Sequence, residues 1–208
     1  MVANHQGGGD QGRIGTLLKL TVRPLTPERW HDLEAVFGAR GCSVARGCWC
    51  MFYRRSGEMP VPAGLTRAQA SRKALKALAR RDPPPGLIGY RGGEPVGWVS
   101  LGPREDFRKL EKSIVMKAVD DARVWSIVCF VVPAQFRGQG VAKALLEGAI
   151  KYARKRRVKL LEAYPVDKRG RTADDSLWFG TKSMYDAAGF VEVARRKPLR
   201  PVVRLALP

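Results

Sequence analysis

A nearly uninterrupted run of apolar residues, VWSIVCFVV at 124–132, constrains the fold of this chain more than any other feature. It is far shorter than the roughly 20 residues that a membrane-spanning helix needs, so we expect no association with a membrane. It is also too apolar for a strand at the edge of a sheet. The run therefore predicts a central β-strand that is buried on both faces.

A short glycine-rich segment follows this strand and leads into a predicted helix. The segment, RGQGVAKAL, begins at Arg137, and its small residues are Gly138, Gly140 and Ala142. Glycine allows the main chain to adopt positive φ and to approach a ligand closely. The first amides of a helix have no partner within it and lie at the positive end of its dipole. The segment is therefore predicted to bind an anion, and the charges of Arg137 and Lys143 suit a pyrophosphate.

Two other phosphate-binding motifs compete with this interpretation. A Walker loop requires G-x-x-x-x-G-K-[ST], which the chain does not contain. The dinucleotide fingerprint G-x-G-x-x-G is nearer, because Gly138, Gly140 and Glu162 at the end of the next strand reproduce part of it. Its last position, however, is Lys143, and the residues PAQF separate the strand from the first glycine. We rank the dinucleotide fingerprint second.

The segment resembles the acetyl-CoA loop of the GNAT N-acetyltransferase superfamily, whose core pattern is [RQ]-x-x-G-x-[GA]. Arg137-x-x-Gly140-x-Ala142 fits that pattern. A second match is SMYDAAGFVEVAR at 183–195, which is similar to the family's C-terminal helix and strand, with Tyr185 four residues before a Gly-Phe pair. The order and separation of the two segments also match the family.

The resemblance implies an α/β, single-domain GNAT-like fold. Its mixed, mostly antiparallel central sheet would have six to seven strands, flanked by helices and splayed at a β-bulge. We expect a flexible tail at 1–15 and the N-acetyltransferase domain at 16–208. The apolar pattern itself also predicts strands at 18–25, 86–93, 94–102 and 158–165, helices at 27–37, 65–81 and 177–189, and two C-terminal strands.

The resemblance also implies a mechanism, in which acetyl-CoA is the acyl donor and a primary amine attacks its thioester directly. Main-chain groups of Phe130, Val131 and Val132 would bond the pantetheine arm. Tyr185 is the expected catalytic acid, because a phenol with a pKa of about 10 can protonate a departing thiolate of about 8.5. The main-chain amides that would bind the pyrophosphate belong to Arg137, Gly138, Gln139, Gly140, Val141, Ala142 and Lys143.

Two features depart from the family's pattern. The central strand carries no carboxylate that could take a proton from the incoming ammonium, so Glu105, Asp106 and Glu162 are the candidate bases. Trp178 stands where many members have an asparagine that contacts the cofactor. These departures keep open a second hypothesis, a non-catalytic module that binds acetyl-CoA or nucleic acid on the same fold.

The balance of charge favours anionic partners, because 38 Lys and Arg oppose 19 Asp and Glu and give a formal net charge of +19. The run KYARKRRVK at 151–159 is the best candidate for nucleic-acid binding. Cations, however, also collect at a helix C-terminus because the dipole favours them, and we therefore disfavour nucleic acid. A small-molecule amine is the favoured acceptor, with a protein amine as the alternative, and a homodimer is compatible with the resemblance.

The remaining residue types exclude other kinds of site. The chain has only two histidines, His5 and His31, so we discard Ser-His-Asp catalysis and a histidine-ligated metal site. Cys42, Cys48 and Cys50 lack the C-x-x-C spacing typical of zinc sites, so we expect no metal and keep zinc as a minor alternative. The uneven cysteine spacing and the lack of a signal-peptide pattern predict a cytoplasmic protein.

The segment at 39–64 shows no sustained periodicity and is predicted to be a loop. Its thiol and aromatic side chains would form an apolar wall that faces the substrate. These side chains are Cys48, Trp49, Cys50, Phe52 and Tyr53.

Overall fold

A computed structural model describes residues 20–57, 61–167 and 178–208, and the tail predicted at 1–15 lies outside the described residues. Within these ranges the chain forms one β-sheet with helices packed on it. The elements are β1 Thr21–Pro24, α1 Trp30–Gly38, α2 Ser43–Cys48, α3 Arg67–Leu78, β2 Gly86–Arg91, β3 Glu94–Pro103, β4 Trp125–Val131, α4 Val141–Lys155, β5 Leu160–Ala163, α5 Lys182–Asp186, β6 Val191–Lys197 and β7 Arg200–Ala206.

The sheet has seven strands in the order β1-β2-β3-β4-β5-β7-β6. All neighbouring strands are antiparallel except β4 and β5, which are parallel and are connected through α4. A parallel pair needs such a crossover, because a short turn can join only antiparallel strands. The predicted mixed α/β fold with a mostly antiparallel sheet is therefore confirmed.

Strand β4 lies at the centre of the sheet, as its apolar sequence predicts. It pairs with β3 along most of its length, with an irregularity between Ser100 and Leu101 of β3. It pairs with β5 only over Trp125–Ile127. The two parallel strands therefore separate beyond Ile127, and this opens the predicted splay beside the second half of β4.

Each face of the sheet carries its own apolar core. On one face α4 contributes the fully buried Leu145 and Leu146, which pack with Val99 of β3. On the other face α1 and α3 contribute buried residues, including Phe37 and Leu75. Adjacent residues of a strand point to opposite faces, so β3 serves both cores.

The predicted helix at 65–81 corresponds to α3. Thr66 accepts a hydrogen bond from the amide of Gln69, whose side chain accepts one from the Thr66 amide, so a capping box starts the helix.

No helix among the residues that the structure describes is long and apolar enough to span a bilayer.

Helix α2 differs from the prediction, which treated 39–64 as a loop. The helix has six residues and is capped at its C-terminus by Trp49, whose φ of 47° is left-handed. Six residues make fewer than two turns, which is too short for an apolar period to be visible in sequence.

Candidate functional site

The glycine-rich segment lies between the end of β4 and the start of α4, as predicted. A short 3-10 helix, Ala134–Phe136, leads into Gly138 and Gly140, whose φ values are 71° and 76°. No described atom lies within 4 Å of a Cβ built on either glycine. The positive φ therefore favours glycine at both positions. The space in front of the α4 N-terminus is open to a ligand.

Contacts that the sequence did not suggest hold this segment in place. The amide of Ala134 donates to the carbonyl of Arg40 at 2.9 Å. The Arg137 guanidinium donates through Nη2 to the carbonyl of Gly41 at 2.7 Å and through Nε to that of Val132 at 3.1 Å. Arg137 thus fastens the segment to the α1–α2 connection while its positive charge stays beside the α4 N-terminus.

Gln139 belongs to the same segment but turns away from the other predicted binding residues. Its amide nitrogen donates to the carbonyl of Gln135 at 2.6 Å, and its side-chain oxygen accepts a bond from Arg91 at 2.6 Å. These two bonds hold the Gln139 side chain against the outer surface of the segment.

A cavity of about 570 Å³ connects the glycine-rich segment with β4 and α2. This volume is in the range of small-molecule and cofactor sites. The predicted binding residues that line it are Phe130, Val131, Val132, Arg137, Gly138, Gly140, Val141, Ala142 and Lys143.

The main chain of β4 faces the splay in a defined way. The amide of Phe130 donates to the carbonyl of Trp178 at 2.6 Å, so the segment before α5 occupies this part of the gap. Val131 is paired with Trp98 of β3, on the opposite side of the strand. Of the three predicted pantetheine contacts, Phe130 therefore presents its amide to the gap, and Val131 presents its peptide groups to the sheet.

Tyr185 is fully buried and is not among the described residues that line the cavity. Its hydroxyl donates to the carbonyl of Phe179 at 3.1 Å, and its ring packs edge to face on Phe190 at 5.0 Å between centroids. Burial, and to a smaller extent the nearby Cys129 thiol, raises the pKa of Tyr185 above its ordinary value. The phenol therefore stays protonated at neutral pH.

The three candidate bases lie away from this region. Glu162 is fully buried between Arg104 and Arg204, at 2.9 and 2.8 Å from their nitrogens. Asp106 is bonded to two arginine side chains at 3.2 Å. Glu105 is exposed. Among the described residues that line the cavity, none carries a carboxylate.

Three cysteines that are close in sequence meet a distant fourth, Cys129, along the cavity. Cys42, Cys48, Cys50 and Cys129 all line it as free thiols. Burial raises the pKa of Cys48 to about 12, so its thiol stays neutral. In the part of the chain that the structure describes, no group of three or more His, Cys, Asp or Glu residues could hold a metal ion.

The predicted apolar wall is largely present. Cys48, Cys50, Phe52 and Tyr53 line the cavity. Trp49 does not belong to this wall, because its ring stacks within the core on Trp30 and Phe37, at centroid distances of 5.7 and 4.9 Å.

Among solved structures, the chain is similar to an acetyltransferase from Thermus thermophilus, at 18% identity and a TM-score of 0.51, covering 92% of this chain and 99% of that one. It is also similar to a polyamine N-acetyltransferase of Drosophila melanogaster that forms N-acetylagmatine, at 14% identity and a TM-score of 0.51, covering 90% of this chain and 100% of that one. A third similar structure is the PaiA N-acetyltransferase of Thermoplasma acidophilum in complex with coenzyme A. Its identity is 15% and its TM-score is 0.50, and the alignment covers 90% of this chain and 99% of that one. These likenesses establish the fold.

The comparison with sequences is more specific. No curated protein matches the chain. A model of the acetyltransferase (GNAT) family matches residues 49–173, which is more than half of the chain and includes the central strand, the glycine-rich segment and α4. Since the match covers more than half of the chain, the chain belongs to the GNAT acetyltransferase family.

Proposed function

We propose that this protein transfers an acetyl group from acetyl-CoA to the primary amine of a small molecule, by direct attack within a ternary complex. One observation carries the proposal: the cavity joins an open, positively charged helix N-terminus to the splayed half of the central strand. The pyrophosphate would be bound by the amides from Arg137 to Lys143, and the pantetheine arm would follow β4. Acetyl-CoA supplies the activated acyl group.

The chain's own part in binding begins at Phe130. Its amide is bonded to the carbonyl of Trp178 in the structure. In our proposal the pantetheine arm takes over this amide, and the main chain at Trp178 withdraws from it. The same withdrawal would loosen the adjacent carbonyl of Phe179 from the Tyr185 hydroxyl.

Tyr185 would then protonate the sulfur that leaves as the amine nitrogen forms its bond to the acetyl carbon. The raised pKa means that the phenol carries its proton before the thiolate forms. The proton that the amine loses passes to solvent, because the candidate carboxylates Glu162 and Asp106 are held in ion pairs.

The preference for a small amine is supported by one of the similar structures. One of the similar structures is a polyamine N-acetyltransferase that forms N-acetylagmatine, and it aligns with 90% of this chain. A protein amine is the alternative acceptor, and the cytoplasm is the expected compartment.

The test combines binding with turnover. Calorimetry should detect uptake of acetyl-CoA by the purified protein, and mass spectrometry should detect acetylated product with members of a panel of primary amines. A Gly140→Val variant, checked for its fold by circular dichroism, serves as the control in which the glycine-rich segment should no longer bind acetyl-CoA. Failure of the wild-type protein to take up acetyl-CoA would refute the proposal.

A non-catalytic acetyl-CoA-binding module is the second candidate. It is favoured by the fact that Glu162 and Asp106 are both engaged with arginines and neither is placed to act as a base. Uptake of acetyl-CoA without product from any amine in the panel would favour this candidate.

A further inference from the structure

Three large apolar side chains that are exposed to solvent lie at the cavity. Among the described residues eight such side chains are exposed, and three of them line this one cavity. They are Val44, Phe52 and Trp178, which are 56, 48 and 37% exposed. We call this group the apolar mouth. Clustered exposed apolar surface beside a cavity is typical of a ligand site.

Phe52, one of the two aromatic residues of the apolar mouth, is held in place by contacts with its neighbours. Phe52 packs edge to face against Tyr53 at 4.9 Å, and Tyr53 packs against Phe179 at 5.5 Å. The ammonium of Lys109 lies 3.5 Å from the centre of the Phe52 ring. An exposed ring with this many contacts is pre-organised to receive another apolar group.

Charge is distributed unequally along the cavity. Of the described lining residues, only Arg137 and Lys143 are charged, and both belong to the glycine-rich segment. The thiol of Cys48 beside the apolar mouth is neutral because burial raises its pKa to about 12. Because none of the described lining residues carries a carboxylate, a second ammonium on the substrate would have no ion-pair partner along this wall.

We propose that the apolar mouth binds the body of the acceptor, so that the substrate is a monoamine with an aromatic or branched aliphatic body. This inference rests on the proposed acetyl transfer and specifies its acceptor. The anionic end of the cosubstrate is assigned to the glycine-rich segment, and the exposed residues Val44 and Phe52 border the solvent from which a second substrate enters.

The experiment compares two monoamines, 2-phenylethylamine and isoamylamine, with the polycations agmatine and spermidine. With acetyl-CoA we expect kcat/KM for 2-phenylethylamine to exceed that for agmatine by more than about tenfold. Calorimetry on protein saturated with coenzyme A should show the same order of binding and does not depend on turnover.

Two variants locate the effect. Phe52→Ser and Val44→Ser should each raise the KM and the Kd for 2-phenylethylamine, by about tenfold for Phe52, and leave the Kd for coenzyme A unchanged. Ile114→Ser is the matched control, because Ile114 is 70% exposed and does not line the cavity. It should change none of these constants.

Several outcomes overturn the inference. Preference for agmatine or spermidine does so, as does an unchanged Kd for 2-phenylethylamine in both serine variants. A third is that the variants reduce the use of octanoyl-CoA but not the binding of the amine, which would assign the apolar mouth to an acyl chain. If coenzyme A itself does not bind, the proposed function fails. If coenzyme A binds and no monoamine does, only the acceptor inference fails.

Discussion

The amide of Phe130 is bonded to the carbonyl of Trp178 at 2.6 Å, at the point where β4 has lost its parallel partner. This bond satisfies a buried donor that the splay would otherwise leave without an acceptor. A bound pantetheine arm would have to supply an acceptor for the Phe130 amide in place of the Trp178 carbonyl. Binding of coenzyme A should therefore be accompanied by a change of partner at Phe130.

This exchange can be followed by nuclear magnetic resonance on 15N-labelled protein. We expect the Phe130 amide resonance to move during a titration with coenzyme A and to reach its end point with the calorimetric Kd. The amide of Val22, which pairs with Gly89 in β1 and β2, serves as a reference that should stay in place. A Phe130 resonance that does not move in saturated protein would place the pantetheine arm elsewhere.

Replacement of Gly140 by valine should abolish the binding of coenzyme A. The residue has a φ of 76°, which a β-branched residue adopts only with strain, and its side chain would project into the open space before α4. We expect the Kd to rise by more than about a hundredfold, which corresponds to about 2.7 kcal/mol. Gly38→Ala is the control, because Gly38 also has open space around its Cβ and has no positive φ. An unchanged Kd in the valine variant would argue against this site.

Replacement of Tyr185 by phenylalanine should lower kcat by about a hundredfold or more and leave the Kd for acetyl-CoA within a factor of about two. The variant keeps the buried ring and removes the proton. Tyr152→Phe is the matched control, since Tyr152 lies on α4 against Trp125 and has no proposed chemical role. Steady-state kinetics with a primary amine measure the effect. Equal kcat values for wild type and Tyr185→Phe would remove Tyr185 as the acid.

The parts of the site that could be predicted from the sequence are those with local signals. The apolar strand, Gly138, Gly140 and the helix that follows are adjacent in the chain, and each constrains its own backbone. Glu162 gave no such signal, because its partners Arg104 and Arg204 are 58 and 42 residues away. It was a candidate base in sequence and is a buried ion-pair residue in the structure.

The same distinction explains the cavity wall. The four cysteines are visible in the sequence, but the placement of Cys42 and Cys129 along one cavity depends on how the α1–α2 connection packs against β4. That packing is fixed by contacts such as the bond from Arg137 to Gly41, which joins residues 96 positions apart. No pattern within a window of sequence reports contacts of this kind.

Buried tyrosines should make the protein unstable in alkali. Burial raises the pKa of Tyr185 and of Tyr164 above the unfolded value, with Glu162 adding to the shift of Tyr164. Each group therefore contributes stability that is complete below a pH of about 10 and is lost as the pH rises further, because the unfolded state releases its protons first. We expect Tm to fall as the pH rises above about 10. The fall should be smaller in Tyr185→Phe, and an equal fall would assign it to other groups.

Replacement of Glu162 by glutamine should strongly destabilise the protein. Its carboxylate is fully buried and accepts bonds from Arg104 at 2.9 Å, from Arg204 at 2.8 Å and from the hydroxyl of Tyr164 at 2.7 Å. Removal of the charge leaves two largely buried guanidinium groups with less compensation. Such changes cost about 3–5 kcal/mol.

Urea denaturation of Glu162→Gln and Glu192→Gln measures this difference directly. Glu192 is bonded to Arg195 on the partly exposed strand β6, so its replacement should cost less than about 1 kcal/mol. Because Glu162 lies outside the residues that line the cavity, the folded fraction of its variant should bind coenzyme A with the wild-type Kd. Full stability combined with lost turnover would instead make Glu162 the missing base and return it to the chemistry of the site.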